Sequence, residues 1–470
     1  MAYISETLAQ FVHQLSYDDI PEPVRERAKD LMLDAIGIAF ASTQFEFAGK
    51  ALAGLSFFGS GSRAVIGMPA KLSLRDAAVM NGVLIHGLDY DDTHLEGVVH
   101  ASASCFSCAL GVAAELNVPG RDLIAAYIAG LECIARLGMV AKGGLHLNGL
   151  HPTGTIAAFA SSLIAGKLMG LDQEQLVMAQ GNALSTSASS SRQYSQEGAW
   201  TKRLHPGWGA AAGITAAAMA RGGFIGPRQV YEGEYNIYRT HTGTHYDACD
   251  FSLATQDLGS MWESARVAIK PIPACHLVHA CSDAAVALAS ANTISGADVK
   301  SIRALIPAQA IPIVCEPAHK RRRPLSSYAA QFSIYHAVAA SLLRKKFGLA
   351  EMEPEVYNDP AILALGDKVT YEADPQSEYP KYFSGEVVVT MNDGRELRHR
   401  EHINRGAADR PIVRDDIVIK YLDNAQMAIS RVRAESVRDT VLGADRFGAQ
   451  ALESVLAGGD INNHFKTNTM

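Results

Sequence analysis

Apolar side chains recur at helical spacing through roughly the first 266 residues of the chain. The segment PEPVRERAKDLMLDAIGIAFA places them every three or four positions and has proline near its start, which is typical of a helix beginning there. Farther on, GTIAAFASSLIAGKLMG and GAAAGITAAAMARGG consist largely of Ala, Gly, Ser and Leu. Because small side chains let helices approach closely, these runs predict a compact, buried helical bundle.

The pattern changes near residue 300. VKSIRALIPAQAIPIV mixes alternating apolar positions with prolines and predicts a strand, and a helical pattern follows from about Tyr328 to Phe347. GEVVVTMNDGRELRHREH then reads as two strands that flank Asn392-Asp393-Gly394, a strong hairpin signal. This part of the chain therefore predicts a smaller α+β domain.

The tail returns to helical patterning from about residue 411 to 459. We therefore predict a mostly α fold in which a large all-helical domain is formed by both chain ends. It comprises residues 1–267 and 405–470, and the smaller α+β domain is inserted as residues 268–404. A length of 470 residues supports two domains rather than one core.

Composition narrows the class of protein. Apolar residues make up 48% of the chain and charged residues 19%, which is typical of a globular protein. A net charge of −7 with no basic stripe argues against a nucleic-acid partner. The N-terminus lacks a signal-peptide layout and no apolar run looks long enough to span a bilayer, so we expect a cytoplasmic protein with no membrane partner.

The seven cysteines form no regular framework. Their number is odd and they are scattered along the chain, which favours reduced thiols over disulfides. Cys105 and Cys108 form a CxxC motif, but they lie in an apolar, helix-like segment. We interpret this pair as core packing rather than as a redox or zinc site.

The stretch DYDDTHLEGVVH, residues 89–100, concentrates ionisable groups. It carries three aspartates, one glutamate and two histidines directly after an apolar run. Such clustering is costly unless something uses the groups. The stretch could be an acid–base site, a solvated loop, or a metal site in which His94 and His100 act with Asp91 or Asp92.

Four short motifs place histidine just before small-residue helices. They are HAS at residues 100–102, HPT at 151–153, KRLHPG at 202–207 and CHLVH at 275–279. Ser102 and Thr153 are candidate N-caps. Because helix N-termini favour anions, four such motifs together predict a pocket for carboxylates or phosphates. Each motif alone is more often a simple helix-start turn.

Taken in order, HGLDYDDTH with a following histidine, GLHPTG, TKRLHPGWGAAAG and CHLVH resemble the MmgE/PrpD family over essentially the whole chain. That family includes 2-methylcitrate dehydratase, cis-aconitate decarboxylase and iminodisuccinate epimerase. The resemblance implies that the α+β domain is a lid, that the protein is a homodimer, and that the active site lies between the domains. It also implies small di- or tricarboxylate substrates and neither cofactor nor metal.

The resemblance also places family active-site positions on residues of this chain. As a hypothesis for the mechanism, Lys202 binds the substrate carboxylate and stabilises an enolate, and His151 and His100 transfer protons. Asp89 orients a histidine or holds Lys202, and Thr93 hydrogen-bonds the substrate. We prefer His279 over His276 as the histidine of the CHLVH motif. The expected catalytic residues are Asp89, Thr93, His100, His151, Lys202 and His279, and the expected substrate-binding residues are His276, Arg203 and His205.

The motifs identify the family more specifically than they identify the reaction. Dehydration, decarboxylation and epimerisation all pass through a carbanion or enolate beside a carboxylate. We place a 2-methylcitrate dehydratase-like lyase first, with a cis-aconitate decarboxylase-like or iminodisuccinate epimerase-like enzyme as alternatives. A metal-dependent lyase or hydrolase and a non-catalytic helical dimer scaffold are further alternatives.

The loops depart from the family pattern. HAS replaces the usual HPS, and Glu96 in the HLEGVV loop would add a carboxylate near the anion site, which disfavours a third substrate carboxylate. The segments Arg192 to Glu197 and Arg321 to Arg323 are expected to set the substrate.

Overall fold

The computed structural model describes residues 2–458, and long helices form most of its first half. The helix predicted from the PEPVRERAKDL pattern is confirmed as Glu22–Ser42. The long helices that precede the α+β part are Ile4–Gln14, Glu22–Ser42, Glu46–Ser56, Leu74–His86, Ala101–Leu116, Gly120–Val140, Pro152–Leu168, Gln173–Thr186 and His205–Arg221. A two-residue strand pair, Arg63–Ala64 with Lys71–Leu72, interrupts them.

The α+β part is built on a four-stranded mixed sheet. Its strands are Val299–Ile306, Val369–Ala373, Gly385–Met391 and Glu396–Glu401. The first strand pairs in parallel with the second and antiparallel with the third, and the fourth lies beside the third at the edge. The predicted hairpin is confirmed, with Gly394 at a φ of 87° in its turn. The longer helices of this part are His279–Ala291, Ile334–Arg344 and Pro360–Asp367.

The tail returns to the first half of the molecule as the helices Arg414–Ala425, Arg431–Leu442 and Ala449–Leu456. Short helices of four or five residues connect the larger elements throughout: Gly144–Leu147, Tyr194–Glu197, Ile237–His241, Ile311–Val314, Ala318–Arg322, Ser327–Ala330 and Pro354–Tyr357.

Two hydrophobic cores correspond to the two parts. One contains side chains from residue 4 to residue 269 together with tail residues 417 to 456, so both chain ends build it. The other consists mainly of residues 268–407, joined by Leu95 and Tyr194. The predicted fold class is therefore confirmed. The boundaries 1–267, 268–404 and 405–470 stay a prediction, and residues 459–470 lie outside the described part.

Two local expectations were wrong. The helix expected from Tyr328 to Phe347 is broken, because Gln331 donates its side-chain amide to Leu88 O and Pro273 O, and Ser333 then caps a new helix by accepting from His336 N. In addition, helix Gly120–Val140 is long and apolar enough to cross a membrane, although its apolar window is fully buried. Its composition is explained by a position in the helical core.

The small residues of the helical bundle permit close helix contacts, as expected. A Cβ placed on Gly213 in helix His205–Arg221 would lie 2.5 Å from Ser161 Cβ and 2.6 Å from Ser162 N, both in helix Pro152–Leu168. Cys105 and Cys108 are buried in helix Ala101–Leu116, which agrees with their interpretation as packing residues.

We expect Gly213→Ala to destabilise the protein by about 1–3 kcal/mol, because the added methyl group overpacks a rigid helix contact. The thermal unfolding midpoint should fall accordingly. Gly49→Ala is the matched control: Gly49 also lies inside a helix, but no atom lies within 4 Å of the place that an added methyl group would occupy. The control should be neutral or stabilise the protein by up to about 1 kcal/mol. Equal effects of the two substitutions would contradict the packing account.

Candidate active site

A cavity lies where the two cores meet, and residues from both parts of the chain line it. The loop between helices Leu74–His86 and Ala101–Leu116 forms one wall, and it is tied to the α+β part by paired backbone hydrogen bonds between Thr93 and Ala268, both 2.9 Å. The residues that line the cavity include Asp89, Thr93, His100, His146, His151, Arg192, Tyr194, Lys202, Lys270, Cys275, His276, Phe332 and Tyr379.

Asp89 is the centre of the charged cluster. Lys202 Nζ lies 2.7 Å and Lys270 Nζ 2.9 Å from Asp89 Oδ1, and Lys270 also donates to the Asp89 carbonyl at 2.8 Å. The Asp89 and Lys270 side chains are both about 1% exposed. Burial alone would raise the pKa of Asp89, but the two ammonium groups outweigh it and lower that pKa well below its usual range. The carboxylate is therefore ionised and holds both lysines in place.

Asp91 connects two buried histidines behind the cavity wall. His86 Nδ1 lies 2.8 Å from Asp91 Oδ2, and His100 Nδ1 lies 3.2 Å from Asp91 Oδ1. Burial, followed by the nearby lysines, lowers the pKa of His100 to about 3 despite the opposing effect of Asp91. Burial likewise lowers the pKa of His86. Both rings are thus neutral at pH 7. His86 can donate its Nδ1–H to the carboxylate, whereas His100 Nδ1 lies close to it but has no hydrogen-bond partner among the described residues.

His151 faces the same space from the start of helix Pro152–Leu168. Its ring stacks 5.5 Å from His86 and lies 5.8 Å from His100. Burial and then Lys202 lower the pKa of His151 well below its usual value. Its Nε2 atom and Thr93 Oγ1 have no hydrogen-bond partner among the described residues. Both atoms are therefore available to a ligand in the cavity.

Asp92 binds the end of a helix rather than the cavity. Its Oδ1 accepts from Ala101 N at 3.1 Å and Ser102 N at 3.0 Å, at the start of helix Ala101–Leu116. Ser102 and Thr153 are not N-caps as predicted: Ser102 Oγ lies 2.5 Å from Tyr127 OH, and Thr153 Oγ1 accepts from His100 N. Asp92 therefore occupies two N–H groups at the start of this helix, and they are not free to bind an anion in the cavity.

Most of the predicted site residues come together. Asp89, Thr93, His100, His151, Lys202 and His276 all line the cavity. His279, Arg203 and His205 do not, which argues against direct substrate contact for these three. Each of the three has other partners. His279 Nε2 is 3.1 Å from Ala274 O, and His205 Nδ1 is 3.1 Å from His151 Nδ1. Arg203 lies over Phe47 and Tyr328 and donates to Gly87 O.

One expectation and one open alternative for the HLEGVV loop do not hold. Glu96 does not line the cavity; it forms an ion pair with Arg266, with Oε1 and Nη2 2.5 Å apart. It therefore adds no free carboxylate to the anion site. His94 does not act with His100 either, because its Nε2 lies 2.9 Å from Glu263 Oε2 and its Nδ1 accepts from Gly97 N.

Two other sets of side chains have metal-ligating geometry in the described part of the chain. One nitrogen from each of His86, His100 and His151 lies within 4.8 Å of the others, as do ligand atoms of Asp89, Asp91 and His100. The second set competes with two lysines, since Lys202 and Lys270 already bind Asp89. A cation bound by the second set would face two ammonium groups, so that set suits an anion better than a metal ion.

Sequence reasoning missed Lys270 and His86. Each is the only ionisable residue in an apolar stretch: Lys270 in VAIKPIP and His86 in VLIHGL. A lone ionisable residue in an apolar stretch was the signal that could have indicated them. It did not reveal that Lys270 reaches Asp89 or that His86 reaches Asp91, because these contacts depend on the path of the intervening loop.

Comparisons with known proteins agree with this arrangement. The chain matches the MmgE/PrpD N-terminal domain over residues 6–249 and the MmgE/PrpD C-terminal domain over residues 272–445. It therefore belongs to the MmgE/PrpD family, as the motifs of the sequence indicated.

Curated relatives share this family over most of their length. A cis-aconitate decarboxylase of Aspergillus terreus is 28% identical over 466 residues, which cover 94% of this chain and 93% of the relative. The cis-aconitate decarboxylase of Homo sapiens is 28% identical over 455 residues, which cover 92% and 90%. That of Mus musculus is 26% identical over 460 residues, which cover 92% and 89%.

We expect Asp92 to make stability depend on pH. Burial, and then the charge of Asp91, raise the pKa of Asp92 from 3.8 to about 7. The folded state therefore binds more protons than the unfolded state between these values, and the wild-type protein should lose stability as pH rises through this window. Asp92→Asn removes the ionisation but keeps an oxygen for the helix N–H groups, so it should gain stability relative to wild type between pH 5 and pH 8.

Urea unfolding of both proteins at pH 5 and pH 8 measures this difference. Asp416→Asn, at an exposed position in helix Arg414–Ala425, is the control and should follow the wild-type pH dependence. If the stability difference between Asp92→Asn and wild type is the same at both pH values, the proposed burial cost of the Asp92 charge is wrong.

Proposed function

We propose that this protein is a lyase that decarboxylates cis-aconitate or a closely related tricarboxylate, without a metal or other cofactor. The observation that carries the proposal is the Asp89 cluster, which fixes two lysine ammonium groups at the wall of a buried cavity. The names of the curated relatives favour the decarboxylase alternative over the dehydratase that we placed first. A cytoplasmic homodimer is part of the proposal and rests on the family resemblance.

The lysines supply what the reaction needs. Loss of CO₂ from the CH₂-carboxylate of cis-aconitate breaks a carbon–carbon bond, and its electron pair forms a new double bond. The former double-bond pair moves to the carbon beside the other terminal carboxylate, so negative charge spreads onto that carboxylate as an enolate. Lys202 and Lys270 bind this carboxylate, and their fixed positive charges stabilise the enolate more than the substrate.

One proton must then be added to the enolate carbon to give 2-methylidenesuccinate. His151 is the preferred donor, because it lines the cavity and its Nε2 is free. Its resting pKa is low because of burial and Lys202. A bound tricarboxylate offsets the lysine charges, which raises the pKa of His151 and lets the ring take up the proton that it delivers. His100 and Asp91 lie behind His151 as a second proton-transfer pair.

The placement of Glu96 favours a tricarboxylate. The sequence alone suggested that this side chain would repel a third substrate carboxylate, but it is neutralised by Arg266 outside the cavity. Three cationic side chains, Lys202, Lys270 and Arg192, line the cavity against the one carboxylate of Asp89. The remaining two positive charges attract a multiply charged anion.

The proposal predicts turnover of cis-aconitate by purified, EDTA-treated protein, followed by proton NMR in D₂O. The product should carry one deuterium on the carbon that is protonated. 2-Methylcitrate, citrate and iminodisuccinate are the parallel substrates. Turnover of 2-methylcitrate alone would indicate the dehydratase, and deuterium exchange into iminodisuccinate would indicate the epimerase. Activity that appears only after metal is added would contradict the metal-free mechanism. Silence in every case would leave the family membership standing and would mean that the enzyme acts on a different substrate.

Two histidine variants identify the proton donor in the same assay. His151→Gln should lower turnover about 10²-fold or more, because the transferred proton is lost. His13→Gln is the control and should keep wild-type turnover, since His13 is exposed and does not line the cavity. Circular dichroism and the thermal midpoint check that both variants fold. Near-normal turnover of His151→Gln would remove His151 from the mechanism.

A further inference from the structure

Arg192 occupies a built position at the cavity wall. The segment that carries it pairs with the segment that carries His151: His151 N donates to Ser190 O at 2.8 Å, and Arg192 N donates to Gly149 O at 2.9 Å. The guanidinium is fixed as well, because Arg192 Nη1 donates to His146 O at 2.5 Å. Both Arg192 and His146 line the cavity, and Arg192 is half-buried.

Arg192 has no carboxylate partner within salt-bridge distance among residues 2–458. The nearby Arg321 is buried and has none in this range either; its contacts are backbone carbonyls, including Ser195 O at 3.1 Å from Nη2. Arg321 Nη2 binds the carbonyl of Ser195, three residues along the chain from Arg192. Neither guanidinium is neutralised by a carboxylate among residues 2–458, an arrangement that favours a bound anion.

The arginine is anchored differently from the lysine cluster. Lys202 and Lys270 both contact Asp89, whereas Arg192 is held by the carbonyl of His146. The cavity wall thus carries two separately anchored cationic positions.

We propose that Arg192 binds a second carboxylate of the substrate, one that Lys202 and Lys270 do not hold. This inference rests on the proposed function and specifies its substrate class: acids with carboxylates at both ends of a short carbon chain. The planar guanidinium has free N–H groups beyond the one that binds His146 O, so it can bind a carboxylate through two parallel hydrogen bonds. Monocarboxylic acids would occupy the lysine region alone.

Calorimetric binding of unreactive acids tests this inference without requiring turnover. The probes are propane-1,2,3-tricarboxylate, glutarate and butyrate, titrated into wild type and Arg192→Gln. Wild type should bind the tricarboxylate and glutarate more tightly than butyrate. Arg192→Gln should weaken the first two by about tenfold or more and leave butyrate unchanged, because only the second carboxylate loses its partner. Arg192→Lys, which keeps the charge but not the planar fork, should give an intermediate loss.

Arg239→Gln is the matched control, since Arg239 is exposed, lies over Tyr246 and does not line the cavity. It should bind all three acids as wild type does. Equal weakening of all three acids by Arg192→Gln, or no weakening, would overturn the assignment. If wild type turns over cis-aconitate and Arg192→Gln has an unchanged KM, the assignment fails while the proposed function stands. If the binding pattern is as expected but no substrate reacts, the proposed reaction fails instead.

Discussion

The active-site architecture depends on one buried ion cluster, in which the Asp89 carboxylate holds the ammonium groups of Lys202 and Lys270. Desolvation of three charged groups is expensive, and removal of one partner would leave the others uncompensated. Asp89 itself adopts a left-handed backbone conformation with φ of 49°, which is uncommon outside glycine. Such an arrangement persists only if the surrounding structure supports it, and here both parts of the molecule contribute: Lys202 comes from the helical part and Lys270 from the start of the α+β part.

The cluster also links folding to chemistry. Lys270 lies where the chain passes from the helical part to the α+β part, and the backbone pairing of Thr93 with Ala268 lies at the same junction. The cationic wall of the cavity is therefore built at the junction of the two parts. The same burial that makes the ions costly keeps the histidines neutral, so they can accept a proton when a polyanion enters.

Much of this could be predicted from sequence, because helical periodicity, the Asn-Asp-Gly turn and the order of the motifs are local signals. They indicated the fold class and six of the residues that line the cavity. The direction in which a side chain points depends on contacts with distant parts of the chain, so it could not be predicted from these signals. His276 and His279 lie three residues apart on one short segment, and only the structure separates the one that faces the cavity from the one that binds Ala274 O. Likewise, the neutralisation of Glu96 by Arg266 joins residues that are 170 positions apart.

The helix N-termini illustrate the same limit. Histidines before small-residue helices suggested that free backbone N–H groups would bind the anion, but Asp92 already satisfies those of helix Ala101–Leu116. Lys270, which the sequence did not single out, lies at the cavity wall instead. Long-range contacts thus changed which groups are available at the cavity wall.

The central claim is that Lys202 and Lys270, held by Asp89, bind a substrate carboxylate. A crystal structure of the His151→Gln protein with cis-aconitate bound tests it most directly. The account predicts carboxylate oxygens within hydrogen-bond distance of both Nζ atoms, with Asp89 still in contact with the two lysines. A ligand bound elsewhere, or one whose carboxylates contact neither lysine, would contradict it.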